Sequence, residues 1–76
     1  MSTQKYINKD YQSDDKTLSE IQELNKQKQE LSNFKLNKAE LENIYLVDAK
    51  MLDCDLSKAN LKNASMYGAN LSGANL

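Results

Sequence analysis

Few side chains in this 76-residue sequence could perform catalysis. The chain has no histidine and a single cysteine, Cys54. Without an imidazole, the usual Cys–His and Ser–His pairs, in which a base activates a nucleophile, cannot form. Cys54 also falls on an inward position of a repeat described below, where we expect a buried and unreactive thiol. The sequence therefore predicts no catalytic residue and no enzymatic activity.

Carboxylates are more numerous, but their spacing does not form a metal site. Asp53-Cys54-Asp55 begins like a calcium-binding loop, yet Lys58 stands where the loop needs glycine and Ala64 where it needs an acid. The other acids of this region fall on outward positions, which is typical of a solvated surface; they are Glu40, Glu42 and Asp48. We expect neither a metal nor a cofactor.

Composition excludes several classes of partner. Ten lysines oppose eleven acids, for a net charge of -1, so the basic patch of a nucleic-acid binder is missing and we expect no direct nucleic-acid binding. No apolar run approaches the length of a membrane span, and the N-terminus lacks the apolar core of a signal peptide. We therefore expect a cytoplasmic location and no membrane contact. A chain this short, without disulfides, is expected to gain stability by association.

The first 33 residues divide into two predicted segments. Residues 1–12 are mostly polar and are predicted to form a flexible tail. Residues 13–33 are predicted to hold an amphipathic capping helix near 18–32, because a capping box at Thr17 and Glu20 precedes an apolar stripe. The stripe consists of Leu18, Ile21, Leu24 and Leu31.

From residue 34 onward a five-residue period replaces the helical one. A leucine or methionine occupies one register throughout: Leu36, Leu41, Leu46, Met51, Leu56, Leu61, Met66, Leu71 and Leu76. The residue two positions before each of these is small in most units; these residues are Phe34, Ala39, Ile44, Ala49, Cys54, Ala59, Ala64, Ala69 and Ala74. Neither a helix nor a strand can bury a five-residue period on one face. A chain that bends once per five residues can, with a large and a small residue turned inward on each side.

These tandem A-(D/N)-L-x-x units, best preserved at 59–61, 69–71 and 74–76, resemble the pentapeptide-repeat family over residues 34–76. The resemblance implies a right-handed, four-sided β-helix of about two coils, with four repeats per coil and residues twenty apart stacked. The predicted helix would then cap its N-terminal end. Phe34, Ile44 and Tyr45 depart from the family pattern, so the first coil is the least regular.

We expect a non-catalytic protein-interaction or scaffold module first, and its outward side chains suggest where it binds a protein partner. Tyr45, Val47, Leu52 and Tyr67 are predicted to cluster on adjacent sides as an apolar protein-binding patch, which we call the tyrosine patch. The alternative is that the N-terminal tail or helix folds over it. The identity of a protein partner does not follow from the sequence.

The C-terminal coil is a second candidate surface. Its inward residues would have no layer above them, so we expect end-to-end self-association as a homodimer through Leu61, Met66, Leu71 and Leu76. A truncated piece of a longer repeat protein is the alternative. Some members of the family mimic DNA and bind a type II topoisomerase (gyrase), but residues 34–76 carry five acids against five lysines, which ranks that function second.

Overall fold

The computed structural model describes residues 4–76 and contains two helices, α1 at Gln4–Ile7 and α2 at Thr17–Lys26. The remainder stacks on itself every twenty residues. Pairing within the described residues takes the form of isolated parallel bridges rather than continuous strands. The bridges join Lys35 to Asp55, Glu40 to Asn60, Tyr45 to Ser65, Lys50 to Asn70 and Asp55 to Asn75. The predicted stacking of positions twenty apart is confirmed, whereas no extended β-strand forms in residues 4–76.

Each five-residue unit closes with a tight turn. In the first unit the amide of Ala39 donates to the carbonyl of Leu36 over 3.0 Å, and Lys38 between them has a φ of 64°. A positive φ at the third residue of such a turn is the mark of type II geometry. The same conformation recurs at every fifth residue: Lys28, Asn33, Lys38, Asn43, Asp48, Asp53, Lys58, Asn63, Gly68 and Gly73. The turn is therefore the repeating element of the fold.

Backbone hydrogen bonds join successive coils on every side. On the first side Leu36 donates to the carbonyl of Asp55 over 2.7 Å, and Lys38 donates to that of Ser57 over 2.9 Å. Asp55 donates back to the carbonyl of Phe34 over 2.9 Å. Each isolated bridge is thus a short segment of a parallel ladder. A turn interrupts the ladder before a strand can form.

The core follows the predicted five-residue register. The first coil, residues 34–53, turns Leu36, Leu41, Leu46 and Met51 inward at 0% exposure, and Leu56 at the start of the second coil is 2% exposed. Ala39 and Ala49 of the small register are at most 1% exposed, as is Cys54 one residue into the second coil, so both inward registers are confirmed for the first coil. Outward residues such as Asn43 and Asn63 are exposed.

Helix α2 is shorter than predicted, because it ends at Lys26 instead of continuing to residue 32. Lys28 adopts a left-handed conformation, and its amide donates to the carbonyl of Asn25 over 2.8 Å. The amide of Gln29 donates to the carbonyl of Leu24 over 3.0 Å. These two bonds form a Schellman motif, which terminates a helix. Leu31 therefore belongs to the five-residue register and not to the helical stripe.

The predicted capping box is also wrong. The residue before the helix is Lys16, which provides no side-chain cap. The hydroxyl of Thr17 instead accepts from the amide of Asp14 over 2.9 Å and lies 2.7 Å from the hydroxyl of Tyr11. Glu20 binds side chains of the N-terminal segment. Thr17 and Glu20 thus bind the segment that precedes α2 instead of capping the helix.

The described part of the predicted tail packs on the protein. Tyr6 of α1 is 2% exposed and stacks on Phe34 with 5.5 Å between ring centroids, while Tyr11 meets the Tyr6 ring edge-on at 5.3 Å. The amide of Lys35 donates to the carbonyl of Tyr6. The expectation of a flexible tail is therefore wrong from residue 4 onward, because three aromatic rings bury one another; residues 1–3 lie outside the described residues.

Candidate functional site

The N-terminal edge of the first coil is covered by side-chain amides of α2. Oε1 of Gln22 accepts from the backbone amide of Tyr45 over 2.7 Å, and Nδ2 of Asn25 donates to the carbonyl of Val47 over 3.2 Å. One coil further on, Ser65 and Tyr67 occupy the positions of Tyr45 and Val47. There the coil below supplies the partners, since the amide of Ser65 donates to the carbonyl of Ile44 and the amide of Asp48 donates to the carbonyl of Tyr67. Because Gln22 and Asn25 stand three apart on α2, one face of the helix substitutes for a missing coil.

Charged and hydroxyl groups fasten α1 to α2. The hydroxyl of Tyr6 donates to the carboxylate of Glu20, and Nζ of Lys5 lies 2.6 Å from the same carboxylate and 3.7 Å from Asp14. Burial, and then the bond to Glu20, raises the pKa of Tyr6. The hydrogen bonds from Lys5 and Tyr6 lower the pKa of Glu20, so this carboxyl group is ionised near neutral pH.

The C-terminal end is open. Leu76 is 72% exposed, and the other inward residues of this coil are partly exposed, although their counterparts one coil below are buried. These residues are Leu61, Met66 and Leu71, together with Ala59, Ala64 and Ala69. Within residues 4–76 the amides of these leucines and Met66 form no backbone hydrogen bond, whereas the amides of Leu41, Leu46 and Met51 each bond to the next coil. Apolar surface and unpaired amides thus occur together at the C-terminal coil, which the sequence indicated as a candidate surface.

The tyrosine patch is divided between two environments. Tyr45 is 59% exposed and lies with partly buried Val47 beside α2, so the helix approaches these two residues without folding over Tyr45. Tyr67 is 82% exposed and lies outside that contact. Leu52 is partly buried, and its amide donates to the hydroxyl of Ser32 over 3.1 Å.

A groove of about 820 Å³ lies beside the contact between α2 and the first coil and is lined by residues of both. Tyr45, Val47 and Lys50 line it from the coil, and Gln22, Asn25 and Lys26 line it from α2. Its size falls within the range of about 300–1,000 Å³ common for ligand sites. Sequence reasoning missed this groove because it considered only the apolar stripe of the helix; the spacing of Gln22 and Asn25 was the available signal.

Cys54 has no feature of a reactive thiol. It is 1% exposed, and its Sγ donates to the carbonyl of Leu31 over 2.8 Å. Burial raises the pKa of the thiol, which disfavours the nucleophilic thiolate. Among residues 4–76 no group of three or more metal-ligating acids and cysteine comes together.

Two acids of the first coil have close neighbours in the second. Asp48 lies against Gly68, and a Cβ on Gly68 would overlap the carboxylate oxygen of Asp48. Asp53 and Gly73 show the same arrangement one side further on, and both glycines have a φ of 74°. These glycines therefore provide room for a carboxylate as well as a left-handed turn.

The repeat pattern decides the classification of the protein. A family model described as pentapeptide repeats matches eight copies, over residues 30–63 and 39–76, which is more than half of the chain. The chain belongs to the pentapeptide-repeat family. Pentapeptide-repeat proteins are generally non-enzymatic structural or interaction modules. The match begins at residue 30, in agreement with Leu31 as the first inward residue of the pentapeptide repeat and four residues before the predicted start.

Comparison with curated proteins found no match, and neither did comparison with solved structures. Neither helix in the described part of this pentapeptide-repeat chain has the length and apolar character needed to cross a membrane.

Proposed function

We propose that this chain is a non-catalytic protein-interaction module, built as a right-handed, four-sided β-helix, whose open C-terminal coil binds a second copy end to end. The observation that carries the proposal is the difference between the two ends. Gln22 and Asn25 of α2 and the ring of Tyr6 in α1 cover the N-terminal edge, whereas the opposite end leaves the amides of its inward leucines and Met66 unpaired. Such an edge is a template for further pairing.

The covered N-terminal end limits how copies can assemble. A head-to-tail stack would require the open end of one copy to meet the α2 side of the next, where Gln22 and Asn25 already occupy the ladder positions. Two open ends can meet about a two-fold axis, and that contact closes at two copies. Residues 59–76 carry a single charged side chain, Lys62, so the side chains of two identical ends would meet with little electrostatic repulsion.

A protein partner other than a second copy would bind the tyrosine patch. Tyr45 and Tyr67 are the most exposed aromatic side chains in residues 4–76, and exposed aromatic rings are common at the centres of interfaces. Val47 and Leu52 would contribute only their partly exposed surfaces. No observation favours the alternative of a topoisomerase-binding DNA mimic, since acids and lysines are equal in number over residues 34–76.

Sedimentation velocity across a concentration series tests self-association. We expect a concentration-dependent dimer in the unmodified chain and a monomer in Leu71→Glu, because the carboxylate would be placed in the contact between coils. Asn63→Glu is the matched control: it adds the same charge at an outward position of the same coil, and it should leave the dimer intact. A folded monomer at every concentration, or equal behaviour of the two variants, contradicts the proposal.

A further inference from the structure

We infer that the groove between α2 and the first coil binds an extended acidic segment of a partner protein, with one apolar side chain of that segment on Tyr45 and Val47. This inference rests on the chain being an interaction module, but it concerns a different surface from the self-association end. The site combines Tyr45 as an aromatic floor, α2 as a wall, and three lysines that outnumber the two acids beside them.

The floor of the groove can accept an apolar group without leaving backbone atoms unsatisfied. The amide of Tyr45 is bonded to Gln22, and the carbonyl of Val47 is bonded to Asn25. Tyr45 nevertheless keeps 59% of its surface exposed. A bound side chain would therefore bury aromatic surface at no cost in lost backbone hydrogen bonds.

The charge of the groove selects the partner. Lys26 lines it at the end of α2, Lys28 lines it from the turn that follows, and Lys50 lines it from the coil. The ion pairs found in residues 4–76 both use Lys5, so these three ammonium groups have no carboxylate partner. The groove also contains Glu23 and Asp48, which leaves an excess of one positive charge.

Both acids of the groove have other contacts. Glu23 accepts a bond from the side-chain amide of Gln27 over 3.0 Å, and Asp48 packs against Gly68. The three lysines, which outnumber these two acids and form no ion pair in residues 4–76, are thus the groups most able to bind a ligand, and carboxylates are their natural complement.

A second copy of the chain is a poor occupant of this groove. The surface proposed for self-association, residues 59–76, contains Lys62 and no acidic side chain to pair with the three lysines. Nucleic acid would supply negative charge, but Glu23 and Asp48 would repel a continuous phosphate backbone more than a segment whose acids are spaced around an apolar residue.

Fluorescence anisotropy with two labelled eight-residue peptides tests the inference. The first is Asp-Glu-Asp-Leu-Leu-Asp-Glu-Asp, and the second replaces every acid with lysine. We expect saturable binding of the acidic peptide that weakens with salt, and no binding of the basic one. Equal affinities, or no binding of the acidic peptide, would overturn the assignment, as would tighter binding of an eight-nucleotide oligothymidine than of the acidic peptide.

Two variants locate the site. Lys26→Glu combined with Lys50→Glu should weaken binding of the acidic peptide at least about tenfold, since it replaces attraction with repulsion. Lys62→Glu, outside the groove, should change the affinity less than about twofold. Circular dichroism melting confirms that each variant is folded. A similar loss in both variants would place the peptide elsewhere.

Sedimentation of the same groove variant separates this inference from the proposed function. We expect the Lys26, Lys50 variant to self-associate like the unmodified chain, since the groove lies at the opposite end of the coils. Loss of the dimer would show that a second copy occupies the groove and would refute an acidic partner. Failure of self-association in the unmodified chain refutes the end-to-end dimer alone, because peptide binding is measured independently.

Discussion

Leu41→Ala and Leu61→Ala remove the same side chain from two stacked positions, and their difference measures how well the open end is covered. Leu41 is 0% exposed in the first coil, so its truncation leaves a cavity. Comparable changes in a buried core cost about 2.7–5.0 kcal/mol. Leu61 lies directly above it on the register and is partly exposed, so the same change in a monomer should cost about 1–2 kcal/mol.

Self-association should change the cost of Leu61→Ala but not the cost of Leu41→Ala. When two copies cover each other's last coil, Leu61 becomes as buried as Leu41, and its truncation should also reduce dimer affinity. We therefore expect the cost of Leu61→Ala to rise with protein concentration, whereas the cost of Leu41→Ala remains constant.

Urea unfolding followed by tyrosine fluorescence and circular dichroism measures both costs. With a slope of about 1 kcal/mol per molar urea, a loss of 3 kcal/mol lowers the midpoint by about 3 M. Leu41→Lys and Leu61→Lys should be more damaging, and Asn43→Lys and Asn63→Lys are the outward controls, expected within about 0.5 kcal/mol of the unmodified chain. Equal effects at inward and outward positions would refute the five-residue register.

Three further outcomes can be checked by simple means. Gly68→Ala should destabilise the protein by about 1–2 kcal/mol in thermal melts through its left-handed turn, and Asp48→Ala should relieve the additional overlap with the new methyl group in a double-mutant cycle. Cys54 should react with a thiol reagent only as fast as the protein unfolds, so its labelling rate should rise steeply with urea. The folded state lowers the pKa of Glu20, so its stabilising contribution is present above the unfolded pKa and is lost as pH falls through the folded one. Glu20→Gln should flatten that acid-side decline in stability, with Glu42→Gln as a control in which the decline persists.

The coils could be predicted because their signal is long and redundant. Leu41 and Leu46 are specified by the same spacing as their neighbours, so a single irregular residue such as Ile44 did not disturb the register. The residue at which α2 ends could not be predicted from the sequence in the same way. Lys28 holds a left-handed turn normally given to glycine, and Leu31 fits the helical stripe and the five-residue register equally well.

The N-terminal segment was misjudged because its stability comes from distant partners. Tyr6 and Tyr11 are isolated among polar residues in the sequence, and their burial depends on Phe34 and on Thr17 of α2. The groove was missed for a related reason, since it exists only where α2 meets the coil. Of the candidate site, the exposed C-terminal residues were foreseen from register alone, whereas the separation of Tyr45 from Tyr67 required the position of the helix.

The twenty-residue ladder also determines how this protein can be lengthened. Each coil bonds only to the coils directly above and below it, as Leu36 does to Asp55. Inserting twenty residues of the same pattern after Lys58 should add one complete layer and return every outward side chain to its original side. Inserting five should instead rotate the C-terminal surface by a quarter turn relative to α2. Insertion length is therefore a means of setting the angle between the two ends without altering either surface.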